Sequence, residues 1–473
     1  MKRTPFLSFS LDKNASKPIY VQICDLIRQR VINGQLAPGS RLPSSRNYAI
    51  EIGVSRTSVV SAFEQLKAEG YLRARQGSGY FVTPIGNLDK VGKFRTRNES
   101  DSQPDSWERS KPVKHLAAGD IRLFPYRQWA QCVTRVARES PESLIQAVEP
   151  FGDRKLRESI AQYLFDWRGI EITPKQILIT AGSIDALEIC VRTLIRDGDL
   201  IGLENPGYRP LRNFIQQEGI SPVWLNVDQS GAQLPIANTK TRPPKLVVLT
   251  PSHQFPLGGA MSPERRIDFI TWAEKSNSWI IEDDYDSEFR YAGKSIPALT
   301  GLDWSGRSIY VGSFAKIFST GLRLGFLVSP PELHDDFSRT LSRFTSRAAS
   351  SMQRVLSVFM DNGMFYRHIR RVRRIYAERR KTLIECLESR LSNILSFDDY
   401  HAGMQFVAKL PDGYDDRLVT QAARDAGIFV SPLSDHYAGN YRQSGLLIDF
   451  CGYQNDEIIK NISTLGEVLK KFD

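Results

Sequence analysis

Residues 310–325 read YVGSFAKIFSTGLRLG, which sets one lysine among apolar and small side chains just after a strand-like run. We expect Lys316 to be partly buried in this setting. Burial lowers the pKa of an amine and makes it a competent nucleophile. Ser313 and Arg323 flank the lysine, and both side chain types bind phosphate. The stretch therefore predicts a reactive amine beside an anion site.

Strand-like runs alternate with helical stretches on both sides of this segment, and the runs are residues 177–180, 200–203, 245–250, 279–282 and 308–311. This alternation is typical of an α/β domain with a mostly parallel sheet. Residues 282–286, EDDYD, follow one run, at the sheet edge where α/β folds place ligand groups. A metal cluster or an acidic surface loop is the alternative, and the downstream Lys316 and Arg323 favour cofactor binding.

Two further segments supply an anion cradle and an aromatic ring. Residues 177–187, ILITAGSIDAL, predict a strand, a small-residue turn and a helix, whose first backbone amides would hold a phosphate. Tyr208, in NPGY after another strand, would stack on a flat ring, with ordinary packing as the alternative. An amine, a carboxylate, an anion cradle and a flat partner are what pyridoxal 5′-phosphate (PLP) requires of a protein.

The N-terminal region has a different pattern, with apolar residues at helical spacing over Ile19–Asn33. Short helices follow over residues 45–51, capped by Ser44, and from Ser55 to about Glu69. Two strand-like runs, residues 71–75 and 80–82, then form a wing. This order predicts a winged helix-turn-helix, whose third helix enters the major groove of DNA.

Exposed basic and small polar residues on all three faces of this region favour double-stranded DNA over the alternative, a trihelical interaction module. The residues expected to contact DNA are Arg46, Ser55, Arg56, Thr57, Arg75 and Gly77.

Charge is distributed unevenly along the chain. Residues 1–115 hold 19 of the 63 Lys and Arg but only 10 of the 53 Asp and Glu, and so carry nearly all of the net charge of +10. Such a localised basic excess is the electrostatic footprint of a polyanion-binding domain. Residues 84–115 are polar and lack apolar periodicity, as in a linker. We therefore expect domains at residues 1–83 and 116–473, joined by a flexible linker over 84–115.

Several other classes of protein and site are not expected. The five cysteines are odd in number and far apart, which fits a reducing cytoplasm and predicts neither disulfides nor a zinc site. The six histidines lack metal-ligand spacing, so no metal is expected. No apolar run reaches 18 residues and the start does not have the pattern of a signal peptide, so we expect a cytoplasmic protein without a membrane partner.

Residues 38–82, PGSRLPSSRNYAIEIGVSRTSVVSAFEQLKAEGYLRARQGSGYFV, resemble the GntR family of winged-helix regulators. From about Leu116 onward, the chain resembles fold-type I PLP enzymes of the class I/II aminotransferase group. That resemblance implies a mostly parallel α/β sheet followed by a C-terminal α+β subdomain. It also implies roles for eight residues: Lys316 as the Schiff-base lysine, Asp283 at the pyridine nitrogen, Tyr285 at the phenolic oxygen, Tyr208 stacked on the ring, and Gly182, Ser183, Ser313 and Arg323 around the phosphate.

The two domains in this order, with TPSHQFPLG at residues 250–258, resemble the MocR/GabR subfamily of regulators. This resemblance implies a head-to-tail, domain-swapped homodimer. Four positions depart from the patterns. Val60 replaces an arginine that touches DNA in some members, and Ala147 replaces a tyrosine that reaches the partner subunit's phosphate. Phe255 replaces the asparagine that normally bonds the cofactor's phenolic oxygen. Leu447 replaces the arginine that grips a substrate carboxylate, for which the nearest candidate is Arg442.

These observations favour a PLP-dependent transcription regulator that senses PLP or a small amine or amino-acid ligand, with at most residual transaminase activity. The first alternative is an active aminotransferase with an accessory DNA-binding domain, and Phe255 and Leu447 argue against it. The second is a cofactor-free dimerisation scaffold. The presence of Lys316, Asp283 and Tyr285 argues against that alternative.

Overall fold

The computed structural model describes residues 17–84, 119–146, 149–236, 242–293, 296–344, 348–439 and 442–472. The chain divides into two compact units, Met1–Lys111 and Pro112–Asp473. The linker predicted over residues 84–115 lies outside the described residues apart from residue 84, and Ala147 lies outside them as well.

The first unit contains the predicted winged helix-turn-helix. Its elements are α1 (Ile19–Ile32), α2 (Ser45–Ile52), α3 (Arg56–Ala68), β1 (Leu72–Arg75) and β2 (Gly79–Val82). The hydroxyl oxygen of Ser44 accepts from the Asn47 amide at 3.2 Å, and that of Ser55 accepts from the Ser58 amide at 3.1 Å. These side chains satisfy amides that a helix start leaves unpaired, which fixes where α2 and α3 begin.

Aromatic packing holds the helices of this unit against its wing. Phe63 of α3 is fully buried, with its ring centroid 5.9 Å from that of Tyr48 and 5.1 Å from that of Tyr80. β1 and β2 pair antiparallel, with Arg75 opposite Gly79. Gly77 takes a φ of 72° in the turn between them, a conformation that favours glycine.

The second unit alternates helices and strands along most of its length. Its helices are α4 (Tyr126–Glu139), α5 (Arg154–Arg168), α6 (Ser183–Leu194), α7 (Arg209–Gln217), α8 (Pro263–Ser276), α9 (His334–Phe344), α10 (Gln353–Asp361), α11 (Met364–Leu391), α12 (Asp416–Asp425) and α13 (Asn455–Leu469). Its strands are β3 (Ile177–Thr180), β4 (Leu200–Asn205), β5 (Ser221–Asp228), β6 (Gly231–Ala232), β7 (Leu246–Leu249), β8 (Trp279–Asp284), β9 (Ser308–Ser313), β10 (Gly325–Val328), β11 (Gln405–Lys409), β12 (Val430–Pro432) and β13 (Gly445–Asp449).

The main sheet has the order β3-β10-β9-β8-β7-β4-β5-β6. The neighbours from β9 to β5 run parallel, whereas β10 is antiparallel to both β3 and β9, and β6 is antiparallel to β5. The prediction of a mostly parallel sheet is therefore confirmed. Parallel sheets are covered on both faces, which explains why β3, β7, β8 and β9 are buried along their whole length.

The C-terminal part forms the expected α+β subdomain. Its sheet has the antiparallel order β11-β13-β12, α12 packs on β12 and β13, and α13 packs against α11 and α12. Over the described ranges, the structure contains no helix with the length and apolar character needed to cross a bilayer.

Strand β8 extends further than the sequence predicts, as β4 and β9 also do. The predicted run ends at Glu282, yet β8 continues to Asp284. Carboxylates are accommodated inside this buried strand because they have partners. Glu282 accepts from the Leu299 amide at 3.1 Å and from the Thr300 amide at 2.8 Å. Asp284 lies 2.9 Å from the guanidinium of the buried Arg168.

Candidate functional site

The topology of the main sheet brings the predicted cofactor residues to one edge. Gly325 at the start of β10 lies opposite Thr180 at the end of β3 and opposite Ser313 at the end of β9. The turn after β3, the lysine loop after β9 and the segment before β10 therefore meet there. β8 and β4 run parallel to β9 within the sheet and end at the same edge. Residues delivered to this edge are Gly182, Ser183, Ser313, Lys316, Arg323, Asp283, Tyr285 and Tyr208.

Lys316 lies on the loop after β9 and is surrounded by protein. Desolvation lowers the pKa of its amine, and the opposing effect of nearby carboxylates comes first from Asp286 and then from Asp449. A lowered pKa raises the fraction of neutral amine, which is the form that attacks a carbonyl carbon. The environment of Lys316 therefore suits a nucleophile.

Asp283 is the residue at this edge whose hydrogen bonding best fits a ligand. Its side chain is buried, and its Oδ1 has no hydrogen-bond partner in the described part of the chain. Burial raises the pKa of Asp283 to about 7, with further contributions from Asp284 and Glu204. An unpaired buried carboxylate oxygen is costly unless a ligand donates to it. The protonated ring nitrogen of PLP is such a donor, so this residue fits the cofactor.

The turn after β3 leaves room for an anion. Gly182 has a φ of 107° and directly precedes α6, and a Cβ built on it would meet no atom within 4 Å. Gly325 packs so closely on Gly182 that a Cβ there would lie 2.8 Å from the Gly182 Cα. Open space therefore lies beside the residue that precedes α6, and the dipole at a helix start favours a phosphate.

The other two predicted phosphate residues lie beside this turn. The Ser313 hydroxyl accepts from the Ala315 amide at 3.2 Å. Arg323 is exposed and has a φ of 49°, in the left-handed region.

Phe255 stands among the aromatic residues of the site. Its ring centroid lies 5.7 Å from those of Tyr208 and Tyr285 and 5.1 Å from that of His436, in edge-to-face contacts. Such contacts are favourable for aromatic pairs. A phenylalanine has no hydrogen-bonding group, so this wall of the site is apolar.

Sequence reasoning assigned no role to three polar residues of the site. The Tyr285 hydroxyl lies 2.8 Å from Nδ1 of His253, and the same nitrogen lies 3.0 Å from both carboxylate oxygens of Asp286. Glu204 is buried beside them, accepts from the Thr250 amide at 3.1 Å, and has a pKa raised by burial to about 7. His253 lies in the TPSHQFPLG segment and Asp286 lies in the EDDYD segment. These two segments were the sequence signal from which a role for either residue could have been inferred. Among the described residues, no group of His, Cys, Asp and Glu side chains is arranged to hold a metal ion.

The strand expected to supply a carboxylate-binding arginine is apolar at the critical position. Leu447 on β13 is 1% exposed and belongs to a small buried cluster with Leu433 and Tyr437. Arg442 lies just before β13, is exposed, and donates from Nε to the Gly439 carbonyl at 3.3 Å. Arg212 is closer to the aromatic wall, but its guanidinium holds the carbonyls of residues 435 and 437 at 2.7 and 2.8 Å.

The first unit exposes each residue expected to contact DNA, namely Arg46, Ser55, Arg56, Thr57, Arg75 and Gly77. Arg56 and Thr57 begin α3, and Ser55 is its N-cap. Arg75 lies in the wing, with its guanidinium 4.9 Å from the centre of the Phe81 ring. Val60 is also exposed on α3 and adds no charge to this surface.

Comparison with known families and proteins agrees with both halves of this description. The profile described as "Aminotransferase class I and II" matches residues 111–452, and "Bacterial regulatory proteins, gntR family" matches residues 19–82. Among solved structures, an archaeal alanine:glyoxylate aminotransferase superposes with a TM-score of 0.71 at 27% identity, covering 76% of this chain and 92% of that one. The kynurenine aminotransferase of Pyrococcus horikoshii gives 0.70 at 25% identity, with 75% and 89% covered.

Two relatives match over nearly their whole length. The probable rhizopine catabolism regulatory protein MocR of Rhizobium meliloti is 36% identical over 470 residues, covering 96% of this chain and 94% of that protein. The pyridoxine biosynthesis regulator PdxR of Corynebacterium glutamicum is 30% identical over 458 residues, covering 96% of each. The chain therefore belongs to the MocR-type transcription regulators of the GntR family, in which a helix-turn-helix domain is joined to an aminotransferase class I and II domain.

Proposed function

We propose that this regulator binds operator DNA through residues 1–83 and binds PLP at the sheet edge of residues 116–473. PLP itself, or a small amine captured by it, sets the affinity for DNA. The observation that carries the cofactor half is the buried, unpaired Oδ1 of Asp283. Two names among the similar proteins point the same way, since PdxR is a regulator of pyridoxine biosynthesis and the kynurenine aminotransferase was solved with pyridoxamine phosphate (PMP).

Each residue at the edge has a distinct task in this proposal. Lys316 would attach the cofactor covalently, and Asp283 would accept from its ring nitrogen. Tyr285 would bond its phenolic oxygen, and Tyr208 would stack on its ring. The phosphate is held by Gly182, Ser183, Ser313 and Arg323. Bound PLP supplies an electrophilic carbon to which primary amines add.

The effector we propose is PLP, or an amine that is not bound through a carboxylate as an amino-acid substrate would be. Leu447 offers no charge to a carboxylate, and Phe255 offers no hydrogen bond to the cofactor. Arg442 is the cation we assign to effector contact, because it precedes β13 and reaches solvent.

For DNA, we propose that Ser55, Arg56 and Thr57 contact the major groove and that Arg46 contacts the backbone. Arg75 and Gly77 of the wing would reach the neighbouring minor groove. We also propose a head-to-tail homodimer, which would present two such surfaces to a two-part operator. A ligand can change DNA affinity only through its difference in affinity between the DNA-binding arrangements.

Titration of the full-length protein with PLP, followed by visible absorption, tests the cofactor half. The expected result is a saturable band at longer wavelength than that of free PLP, on the order of one equivalent per chain. An unchanged spectrum would contradict the proposed site. Many turnovers of an amino acid with a keto acid would instead favour an active aminotransferase.

A further inference from the structure

His253 and Asp286 form a buried pair beside Tyr285. One ring nitrogen of His253, Nδ1, lies 2.8 Å from the Tyr285 hydroxyl and 3.0 Å from each oxygen of Asp286. Both members of the pair are nearly inaccessible to solvent. Three oxygen atoms of two side chains, a hydroxyl and a carboxylate, therefore converge on a single nitrogen, which holds at most one hydrogen.

Counting hydrogens decides which way these bonds run. A carboxylate is acceptor-only, so the contact with Asp286 requires a hydrogen on Nδ1. When Nδ1 carries this hydrogen, it cannot accept the hydroxyl hydrogen of Tyr285. The Tyr285 oxygen can then only be a second acceptor of the Nδ1 hydrogen, beside Asp286. The hydroxyl hydrogen of Tyr285 is then left for another acceptor.

Tyr285 also keeps that hydrogen. Burial raises the pKa of its phenol well above the ordinary value, and Asp286 and then Asp283 raise it further. The more distant carboxylates of Glu204 and Asp284 act in the same direction, and Lys316 is the cation that faces Asp283. Tyr285 is therefore a neutral phenol, able to donate, throughout the neutral pH range.

The histidine ring also packs closely against Gly403. A Cβ on Gly403 would lie 2.1 Å from Cε1 of His253, and Gly403 has a φ of 87°. The Gly403 amide donates to the Phe289 carbonyl at 2.9 Å, which fixes the loop against the ring. The ring therefore packs against a backbone position that only glycine accommodates.

We propose that His253 and Asp286 are a positioning pair that makes Tyr285 a dedicated hydrogen-bond donor to the phenolic oxygen of bound PLP. Phe255 cannot donate a hydrogen bond to the phenolic oxygen. The pair compensates by orienting Tyr285, which can donate one. This inference rests on the proposed binding of PLP. Its two tests distinguish a failure of the positioning role from a failure of PLP binding.

The first test is the pH midpoint of the visible band in the PLP-bound, full-length protein. Donation to the phenolic oxygen stabilises its negative charge and lowers the midpoint, so losing the donor raises it. We expect Tyr285→Phe to raise the midpoint by about one pH unit or more, and His253→Ala to raise it by a smaller amount in the same direction. His253→Gln, whose amide can still donate to Asp286, should recover part of the shift.

His401→Gln is the matched control, because His401 also contacts an aspartate, Asp399 at 3.1 Å, but is exposed. It should leave the midpoint unchanged. A midpoint that moves in Tyr285→Phe but not in His253→Ala, in protein with wild-type circular dichroism, overturns the positioning role.

The second test needs no cofactor. Nitrogen-15 NMR of the histidine-labelled full chain without PLP reports which ring nitrogen of His253 is protonated. The expected result is a hydrogen on Nδ1, and protonation of Nε2 alone overturns the proposal. If the wild type forms no visible band, the cofactor proposal fails, while this measurement still decides the direction of the hydrogen bonds.

Discussion

The two sides of the site differ in how their polar groups are satisfied. At the main-sheet edge, Asp283 is buried with an unpaired oxygen and Lys316 has a lowered pKa. On β13, Leu447 is buried in a cluster with Leu433 and Tyr437, and its own side chain has no polar atom to satisfy. The unpaired oxygen of Asp283 destabilises the folded protein at the first side, and a ligand that donates to it would remove this destabilisation. The second side is packed like an ordinary hydrophobic core. The contrast supports our proposal that the site holds a cofactor but does not bind the carboxylate of an amino-acid substrate.

The largest expected effect concerns the amine on the cofactor side. Lys316→Ala removes the nucleophile, so we expect complete loss of the visible band formed with PLP. Absorption spectra of the variant and the wild type at equal PLP concentration measure this. Lys275→Ala, at an exposed position on α8, is the control and should keep the band. A normal band in Lys316→Ala would place the reactive amine elsewhere.

The apolar side should respond to truncation as a core does. Leu447→Ala should lower the free energy of unfolding by about 2–5 kcal/mol, because a cavity remains where the side chain packed. Leu418→Ala on α12, where the leucine is 60% exposed, should change it by less than about 0.5 kcal/mol. Denaturant unfolding of the cofactor-free proteins gives both values. Equal effects of the two substitutions would mean that Leu447 is not part of a packed cluster.

Asp283 should destabilise the cofactor-free protein, which sharpens the contrast with Leu447. Its folded pKa, about 7, is above the ordinary value of 3.8, so its stability contribution is full in acid and is lost as the pH rises from about 4 to 7. Asp283→Asn has no such loss. We expect it to stabilise the cofactor-free protein by about 2–4 kcal/mol at pH 8 and by less at pH 5.

Thermal unfolding at both pH values checks this, with the exposed Asp268→Asn as the control. A gain that is the same at pH 5 and pH 8 would contradict the raised pKa of Asp283. The same Asp283→Asn variant should bind PLP more weakly than the wild type.

A smaller effect is expected in the DNA-binding unit, where the two ends of α3 can be compared. Arg56→Ala, at the start of the helix, should weaken specific operator binding by about 1–3 kcal/mol. Lys67 lies in the last turn and pairs with Glu64 at 3.0 Å, so Lys67→Ala should have little effect. Gel-shift titrations at fixed salt measure both, and equal losses would contradict the assigned orientation of α3.

Much of the fold could be predicted because its signals are local. Ser44 and Ser55 cap the helices that their positions indicate, and the alternating apolar runs coincide with β3, β4, β7, β8 and β9. The end of β8 could not be predicted from local sequence. The partners that allow Glu282 and Asp284 inside it come from Thr300 and Arg168, far away in the chain.

The residue types of the candidate site could be predicted, but its network could not. The lysine loop and EDDYD each follow a strand-like run, and the resemblance to class I/II aminotransferases assigned roles to Lys316, Asp283 and Tyr285, which stay predictions. The contact between His253 and Asp286 joins residues 33 positions apart, so no spacing rule indicated it. The packing of Gly403 on His253 depends on the C-terminal subdomain, which sequence periodicity does not place.

The central claim is that occupancy of the sheet-edge site controls DNA binding. It is tested most directly by measuring operator affinity and the visible spectrum together, while PLP and then a panel of amines are titrated into the full-length protein. The account predicts that DNA affinity changes in step with the spectrum, and that Lys316→Ala loses both responses. A DNA affinity that stays constant while the spectrum shows the site filling would contradict it.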